Sequence, residues 1–84
     1  MGRLSREKAQ RLYNATVRLL RYTTWRCGRV ERAIINYLRL KMLRHGSPAT
    51  VREILQVSPV RKKTFDALRR LQTRRIIKIG EMEG

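Results

Sequence analysis

The sequence predicts a mainly α-helical protein with one short β-strand, on the evidence of its breaks, its periodicity and one β-branched run. In four segments, apolar side chains recur at the three- and four-residue spacing of amphipathic helices. Near the end of the chain, Ile76-Ile77-Lys78-Ile79 is rich in the β-branched residues that favour a strand. The breaks between these elements fall at Gly28, Gly46-Ser47-Pro48, Ser58-Pro59 and Gly80.

The first segment is predicted to be a helix over about residues 5–24, with the Ser5 hydroxyl capping its first turn. At helical spacing its apolar side chains share one arc, and Arg11, Arg18 and Arg21 share another. A charged stripe of this kind is usually a solvated face. Because no acidic residue lies on this stripe, its arginines repel one another, and we favour contact with phosphate.

A second helix is predicted over about residues 29–45, and Gly46 is the residue at which it should stop. Its apolar side chains cover a wide arc, in which Ile35, Leu38 and Met42 form one of two rows. A helix that is apolar over so wide an arc is expected to be central, with neighbours on two sides.

The third predicted helix is short, over about residues 50–57. Thr50 and Glu53 match the capping-box pattern, in which the two side chains satisfy backbone N–H groups of the first turn. This helix and the next are joined by a tight turn around Ser58. The pair therefore has the order of a helix-turn-helix.

The fourth helix is predicted to begin at Ser58-Pro59 and to run to about Thr73. Serine can cap a helix. Proline suits the first helical position because the N–H group that it lacks would have no partner within the helix there. Asp66 lies four residues from both Lys62 and Arg70, so we expect it to pair with them along the helix.

The stretch GSPATVREILQVSPVRKKTFDALRRLQTRRIIKIG, from Gly46 to Gly80, resembles the winged helix-turn-helix family. In that family a turn residue opens the recognition helix, an Ala-Leu-x-x-Leu run packs it on the core, and a bend leads into an Ile-Ile strand. The matching positions here are Ser58, Ala67-Leu68-Arg69-Arg70-Leu71 and Ile76-Ile77. The resemblance implies a winged-helix-like helix-turn-helix with an extra N-terminal helix and a truncated wing.

The resemblance covers about residues 30–80, with two departures. It does not cover the N-terminal helix. We expect a basic amphipathic helix and loop over residues 1–28 and a winged-helix-like domain over 29–84, joined in a single compact unit. The bend usually carries glycine, but here it carries Arg75, so either the turn differs or Arg75 adopts a strained conformation. A second wing strand is missing, so the Ile-Ile strand is expected to pair near residues 48–51 or with a partner.

Known winged-helix proteins include DNA-binding regulators and some small-subunit ribosomal proteins of archaea and eukaryotes. In the DNA-binding members the recognition helix enters the major groove. The residues that the resemblance places on that helix face are Arg61, Lys62, Lys63, Asp66, Arg69 and Arg70. A charged solvent surface is the alternative interpretation of this face.

Charge is the strongest compositional signal of function. The 84 residues include 21 Lys or Arg against 6 Asp or Glu, which gives a net charge of +15. Arginine predominates among the cations, and its planar guanidinium binds phosphate through two hydrogen bonds and stacks on bases. A polyanionic partner would neutralise this self-repelling charge, although a GC-rich or thermophilic genome would also enrich arginine.

The predicted nucleic-acid contacts come from all parts of the chain. Trp25 lies in a basic loop and is the best candidate for stacking on a base, with simple packing as the alternative. Tyr13 and Tyr37 have the spacing of core residues. The full set of predicted contacts is Arg11, Arg18, Arg21, Trp25, Arg26, Arg29, Arg61, Lys62, Lys63, Arg69, Arg70, Arg74 and Arg75.

Cations on every predicted element favour a protein embedded among phosphates over a reader of one DNA groove. We therefore expect a structural RNA-binding protein, as in a ribosome, with RNA and neighbouring ribosomal proteins as its partners. A DNA-binding winged-helix regulator or chromatin protein is the second interpretation. Attachment to a membrane surface is a third, disfavoured because the apolar arc of the first helix lacks Trp and Phe.

Other classes of function lack the residues that they need. No paired carboxylates, glycine-rich phosphate loop or metal-ligand cluster is present, so we expect no enzyme, cofactor, small-molecule substrate or metal. One His and one Cys are too few for the usual four-ligand zinc site. No uncharged run approaches the roughly 20 residues of a membrane span. The single cysteine, Cys27, cannot form an internal disulfide, which fits a reducing cytosol, so we expect a cytoplasmic protein associated with the ribosome or nucleoid.

Overall fold

The computed structural model describes residues 13–58 and 60–80, which form three helices and a short three-stranded antiparallel sheet. The elements follow in the order β1 (Thr16–Leu19), α1 (Arg29–His45), β2 (Ala49–Thr50), α2 (Val51–Val57), α3 (Arg61–Thr73) and β3 (Ile77–Gly80). The prediction of a mainly helical fold is confirmed. Within the described ranges, no helix is long and apolar enough to cross a membrane.

Strand β1 replaces part of the first predicted helix. Residues 5–12 lie outside the described residues, and Tyr13 and Asn14 are helical, but the prediction of a helix is wrong for Thr16–Leu19. Side chains alternate between the core and solvent here, as in a strand: Ala15 and Val17 are 3% and 0% exposed, while Arg18 faces solvent. The strand therefore puts the Val17 side chain in the core.

The sheet has the order β2-β1-β3, so β1 is its central strand. Val17 lies opposite Ala49 of β2 and opposite Ile79 of β3. The expectation that the last strand pairs near residues 48–51 is therefore wrong, because β3 pairs with β1. The sheet joins the segment before Gly28 to the segment after it.

Helix α1 has the bounds that its sequence predicts. Gly46 ends it in the left-handed conformation, with φ of 64°, and the Gly46 N–H donates to the Met42 carbonyl at 2.8 Å. The predicted apolar row is wrong at its end: Ile35 and Leu38 are buried, but Met42 is 40% exposed. The packed face of α1 therefore stops at Leu38, before the last two turns.

The turn between α2 and α3 differs from its prediction. Thr50 caps α2 as predicted, accepting a hydrogen bond from the Glu53 N–H at 3.2 Å. Helix α3 begins at Arg61, whereas Ser58 is the C-cap of α2, and the predicted role of Pro59 lies outside the described residues. The buried Thr64 hydroxyl donates to Ser58 Oγ at 2.7 Å and thereby joins α3 to this turn.

The core lies where the three helices meet one face of the sheet. Tyr13, Leu19, Cys27, Tyr37 and Ile79 are partly buried against it, so the interpretation of Tyr13, Cys27 and Tyr37 as packed residues is confirmed. The fully packed apolar side chains are Ala15, Val17, Val30, Ile34, Ile35, Leu38, Ala49, Val51, Ile54, Leu55, Ala67, Leu68, Leu71, Ile76 and Ile77.

Candidate nucleic-acid interface

Arg74 holds the loop of residues 20–28 against the end of α3. Its guanidinium donates to the Trp25 carbonyl at 2.8 Å and to the Arg26 carbonyl at 3.4 Å, and lies 3.3 Å from the Cys27 sulfur. Arg21 donates in turn to the Arg74 carbonyl at 3.1 Å. Two arginines predicted to contact phosphate therefore direct hydrogen bonds to the protein itself, and they position the loop.

The α3–β3 bend forms around Arg75 in the left-handed conformation, with φ of 57°. The Arg75 N–H donates to the Gln72 carbonyl and the Ile76 N–H to the Leu71 carbonyl, each at 3.0 Å. These are the two bonds of a Schellman motif, which usually carries glycine at the left-handed position. Of the two possibilities that the sequence leaves for Arg75, the strained conformation is the one observed. Burial of Ile76 helps to hold it.

Arg26 is the second residue other than glycine with a positive φ, 54°, among the described residues. It lies in the loop that Arg74 holds, and its guanidinium carbon is 4.7 Å from the centre of the Trp25 ring. Both left-handed arginines therefore lie next to the contacts of Arg74. Such backbone conformations cost of order 1–3 kcal/mol and concentrate at functional sites.

A groove of about 650 Å³ runs between the loop and α3, and we call it the basic groove. Trp25 forms one wall and is 68% exposed, so its interpretation as a packed residue is wrong. Glu31 is the one carboxylate that lines the groove, and it accepts a hydrogen bond from the Gly28 N–H at 3.1 Å. The complete lining is Trp25, Arg26, Glu31, Arg69, Arg70, Thr73 and Arg74.

A separate basic surface lies on the outer face of the sheet. Arg18 of β1 is directly opposite Lys78 of β3, and both side chains are exposed. Like charges at directly opposite positions of neighbouring strands destabilise a sheet. Lys78 was not among the predicted contacts, since its position beside Arg18 depends on a strand pairing that no local pattern contains.

The start of α3 carries a third group of cations, formed by the exposed Arg61, Lys62 and Lys63. Its first turn holds no acidic residue, although cations are unfavourable at the positive end of the helix dipole. The predicted pairing of Asp66 along the helix is wrong, because the described residues contain no ion pair that involves Asp66. The local charge of α3 is therefore not neutralised within the helix.

Lys41 differs from these cations because it is paired. Lys41 donates to Glu53 Oε2, which also accepts a hydrogen bond from the Tyr37 hydroxyl at 3.0 Å. Burial raises the pKa of Glu53, but the bonds from Lys41 and Tyr37 outweigh it, and the pKa lies below its ordinary value. Burial, followed by the bond to Glu53, raises the pKa of Tyr37. This is the one ion pair in the described part of the chain.

The predicted contacts thus fall into separate groups. Trp25, Arg26, Arg69, Arg70 and Arg74 meet at the basic groove. Arg18 lies on the sheet, and Arg61 to Lys63 begin α3, while the exposed Arg29 begins α1. Arg11 lies outside the described residues. Exposed cations therefore lie on the loop, on the sheet and on the helices.

The described residues contain no group of three or more His, Cys, Asp or Glu placed to hold a metal ion. Comparison of the chain with protein-family models, with curated proteins and with solved structures finds no match in any of the three.

Proposed function

We propose that this chain is a structural nucleic-acid-binding protein that clamps the phosphates of a folded RNA, as ribosomal proteins do. The observation that carries the proposal is the separation of its exposed cations onto several surfaces. Arg18 and Lys78 lie on the sheet, whereas Arg69 and Arg70 lie on α3. A folded RNA can surround a small protein and neutralise all of these surfaces, whereas one groove of a DNA duplex meets only one of them.

The energetics of these cations support the same function. Lys78 beside Arg18 and the three cations that begin α3 both oppose the stability of the isolated fold. Bound phosphates would convert each repulsion into an attraction and release condensed counterions. Such unfavourable placements are expected where binding, and not the stability of the free protein, determines the residue.

For the fold, we propose a winged-helix-like domain in which strand β1 takes part in the wing sheet. Helices α2 and α3 are joined by a short turn, and α3 leads through the Arg75 bend into β3. Strand β1 lies between β2 and β3, where it pairs with both. The wing sheet would thus include a strand that precedes α1 in the chain.

A DNA-binding winged-helix regulator or chromatin protein is the alternative function, and the exposed face of α3 favours it. As the second helix of the helix-turn-helix, α3 would be the one that enters the major groove. It presents Lys62, Lys63, Arg69 and Arg70 to solvent. In this function, cations away from α3 would contribute little to affinity.

Salt-dependent binding tests the proposal. Affinity for a structured RNA should fall steeply with salt, with a log–log slope of about −5 if roughly seven phosphates are engaged. A flat response would contradict the phosphate clamp. The measurement is fluorescence anisotropy of a labelled RNA hairpin at several salt concentrations.

Two paired variants separate RNA from DNA binding. Replacing Arg69 and Arg70 with alanine removes two cations of α3, and replacing Arg32 and Arg44 removes two exposed cations of α1. The proposed function predicts that both variants lose affinity for structured RNA and flatten the slope. A DNA regulator would lose affinity only in the α3 variant and would prefer one duplex sequence.

A further inference from the structure

We infer that the basic groove is a binding site for one unpaired nucleotide, with its base stacked on Trp25 and its phosphates held by Arg69 and Arg70. This inference rests on the proposed function and makes it more specific. The proposed function requires only phosphates, whereas the groove adds an aromatic surface that a phosphate does not need.

Trp25 is held in place although its ring is exposed. Its backbone carbonyl accepts the bond from Arg74 at 2.8 Å, and its backbone N–H donates to the Thr23 hydroxyl at 3.3 Å. The indole nevertheless remains 68% exposed. A large apolar ring on an anchored backbone gains little by facing water, but it is prepared to stack on a planar ligand at low entropic cost.

The dimensions of the groove suit a nucleotide. Its volume of about 650 Å³ lies within the range of about 300–1,000 Å³ that is usual for sites of small organic ligands. Loop residues form one wall, and Arg69, Arg70 and Thr73 of α3 form the other. A base placed against Trp25 would therefore have the cations of α3 within the same groove.

The charges of the groove select a phosphorylated ligand. Arg69 and Arg70 are exposed, and a guanidinium can bind phosphate oxygens through two parallel hydrogen bonds. The Arg26 guanidinium lies over one face of the Trp25 ring, 4.7 Å from its centre, which leaves the opposite face for a base. Glu31 already accepts a bond from the Gly28 N–H, so it is committed to the loop.

An aromatic wall favours unpaired nucleotides over a duplex. In a duplex the faces of the bases are covered by their neighbours, and only edges and phosphates are accessible. Proteins that bind unpaired nucleotides combine a positive groove with aromatic side chains for this reason. Unpaired RNA and single-stranded DNA share the chemistry that Trp25 recognises, and the experiment below separates them.

Trp25 itself reports on the site, because it is the only tryptophan of the chain. We would titrate the whole protein with a short oligouridylate and follow both tryptophan fluorescence and the anisotropy of a label on the RNA. An RNA duplex of the same length with the same label is one control, and inorganic polyphosphate, whose binding is followed by its displacement of the labelled duplex, is the other. The expected result is quenching by the oligouridylate, and binding of both controls without quenching.

The two signals distinguish failure of this site from failure of the proposed function. Anisotropy that shows binding while the fluorescence stays unchanged would overturn the nucleotide site and leave the phosphate clamp. No binding of any of the three probes would overturn both. If an oligodeoxyuridylate quenches the fluorescence as strongly as the oligouridylate does, the site accepts both RNA and single-stranded DNA. If it quenches less, the site prefers RNA, and both results support the site.

Variants at Trp25 supply the second measurement. Trp25→Ala should lower affinity for the oligouridylate about tenfold, while Trp25→Phe keeps a stacking ring and most of the affinity. Affinity for the duplex should change in neither variant. Because the ring is largely exposed, both variants should fold, which thermal melting checks. An equal loss for single strand and duplex would overturn stacking on Trp25.

Discussion

The Arg74 guanidinium donates a 2.8 Å hydrogen bond to the carbonyl of Trp25, a residue 49 positions earlier in the chain. With the bonds from Arg74 to Arg26 and from Arg21 to Arg74, it joins the β1–α1 loop to the α3–β3 bend. The same arginine lines the basic groove. The shape of the groove therefore depends on a side chain that the sequence marks only as one cation among many.

Replacing Arg74 with alanine should destabilise the fold by about 1–2 kcal/mol, because the loop carbonyls lose a charged donor. Arg70→Ala is the matched control: it removes an exposed cation from the last turn of α3, one helical turn before Arg74, and it should change stability by about 0.5 kcal/mol or less. Urea denaturation measures both values. Equal stability of the two variants would mean that Arg74 does not hold the loop.

Replacing Arg75 with glycine should raise stability relative to Arg75→Ala by about 1 kcal/mol, because only glycine adopts a positive φ without a steric penalty. Both variants remove the same charge, so their difference isolates the backbone conformation. Thermal and urea denaturation give the comparison. If the alanine variant were as stable as the glycine variant, a left-handed Arg75 would be contradicted.

Replacing Val17 with alanine should cost about 2 kcal/mol, since the fully buried side chain loses apolar contacts in the core. The neighbouring Arg18 side chain faces solvent, so Arg18→Ala should lower the free energy of unfolding much less. Alanine is a better helix former than valine, so a helix over these residues would predict little loss from the first change. Denaturation of the pair therefore distinguishes the strand from the helix.

Acid should weaken the contact between α1 and α2. The pKa of Glu53 lies below its unfolded value of 4.5, so its ionised form contributes stability above about that pH. This contribution is lost as the pH falls through the lower folded pKa. Glu53→Gln should reduce the stability at neutral pH and flatten its dependence on pH below 4.5. Melting temperatures between neutral and acidic pH test this, and parallel curves for the two proteins would contradict it.

Replacing Lys78 with glutamate should stabilise the free protein by about 0.2–1 kcal/mol, because it turns the repulsion with Arg18 into an attraction across the strands. The same change should lower affinity for structured RNA. Lys78→Gln should produce a smaller gain in stability and a smaller loss of affinity for RNA. A glutamate variant that gained stability without losing affinity would remove the outer face of the sheet from the proposed interface.

Local patterns predict the helices well. The spacing of apolar residues and the glycine at position 46 place α1 at its observed bounds, and Thr50 with Glu53 marks the start of α2. Each of these signals lies within a few residues of the element that it predicts. The same reasoning fails at β1, where a few residues satisfy both a helical and an alternating pattern.

The candidate site also has features that local patterns predict and features that they do not. Composition and charge indicate a phosphate-binding protein, and the basic loop marks Trp25 for stacking. The roles of Lys78 and Arg74 are not predicted, because each depends on a residue far away in the chain that the fold brings close.

The sequence by itself determined the three helices after Gly28, the strand near the C-terminus and the excess of positive charge, since these depend on side chains and short-range spacing. Only the tertiary structure decided that Thr16–Leu19 form the central strand and that Arg74 holds the Trp25 loop. The physical reason is that a strand gains its hydrogen bonds and its burial from distant neighbours. Val17 is buried on the central strand, opposite Ala49 on one side and Ile79 on the other, and no local pattern contains those partners.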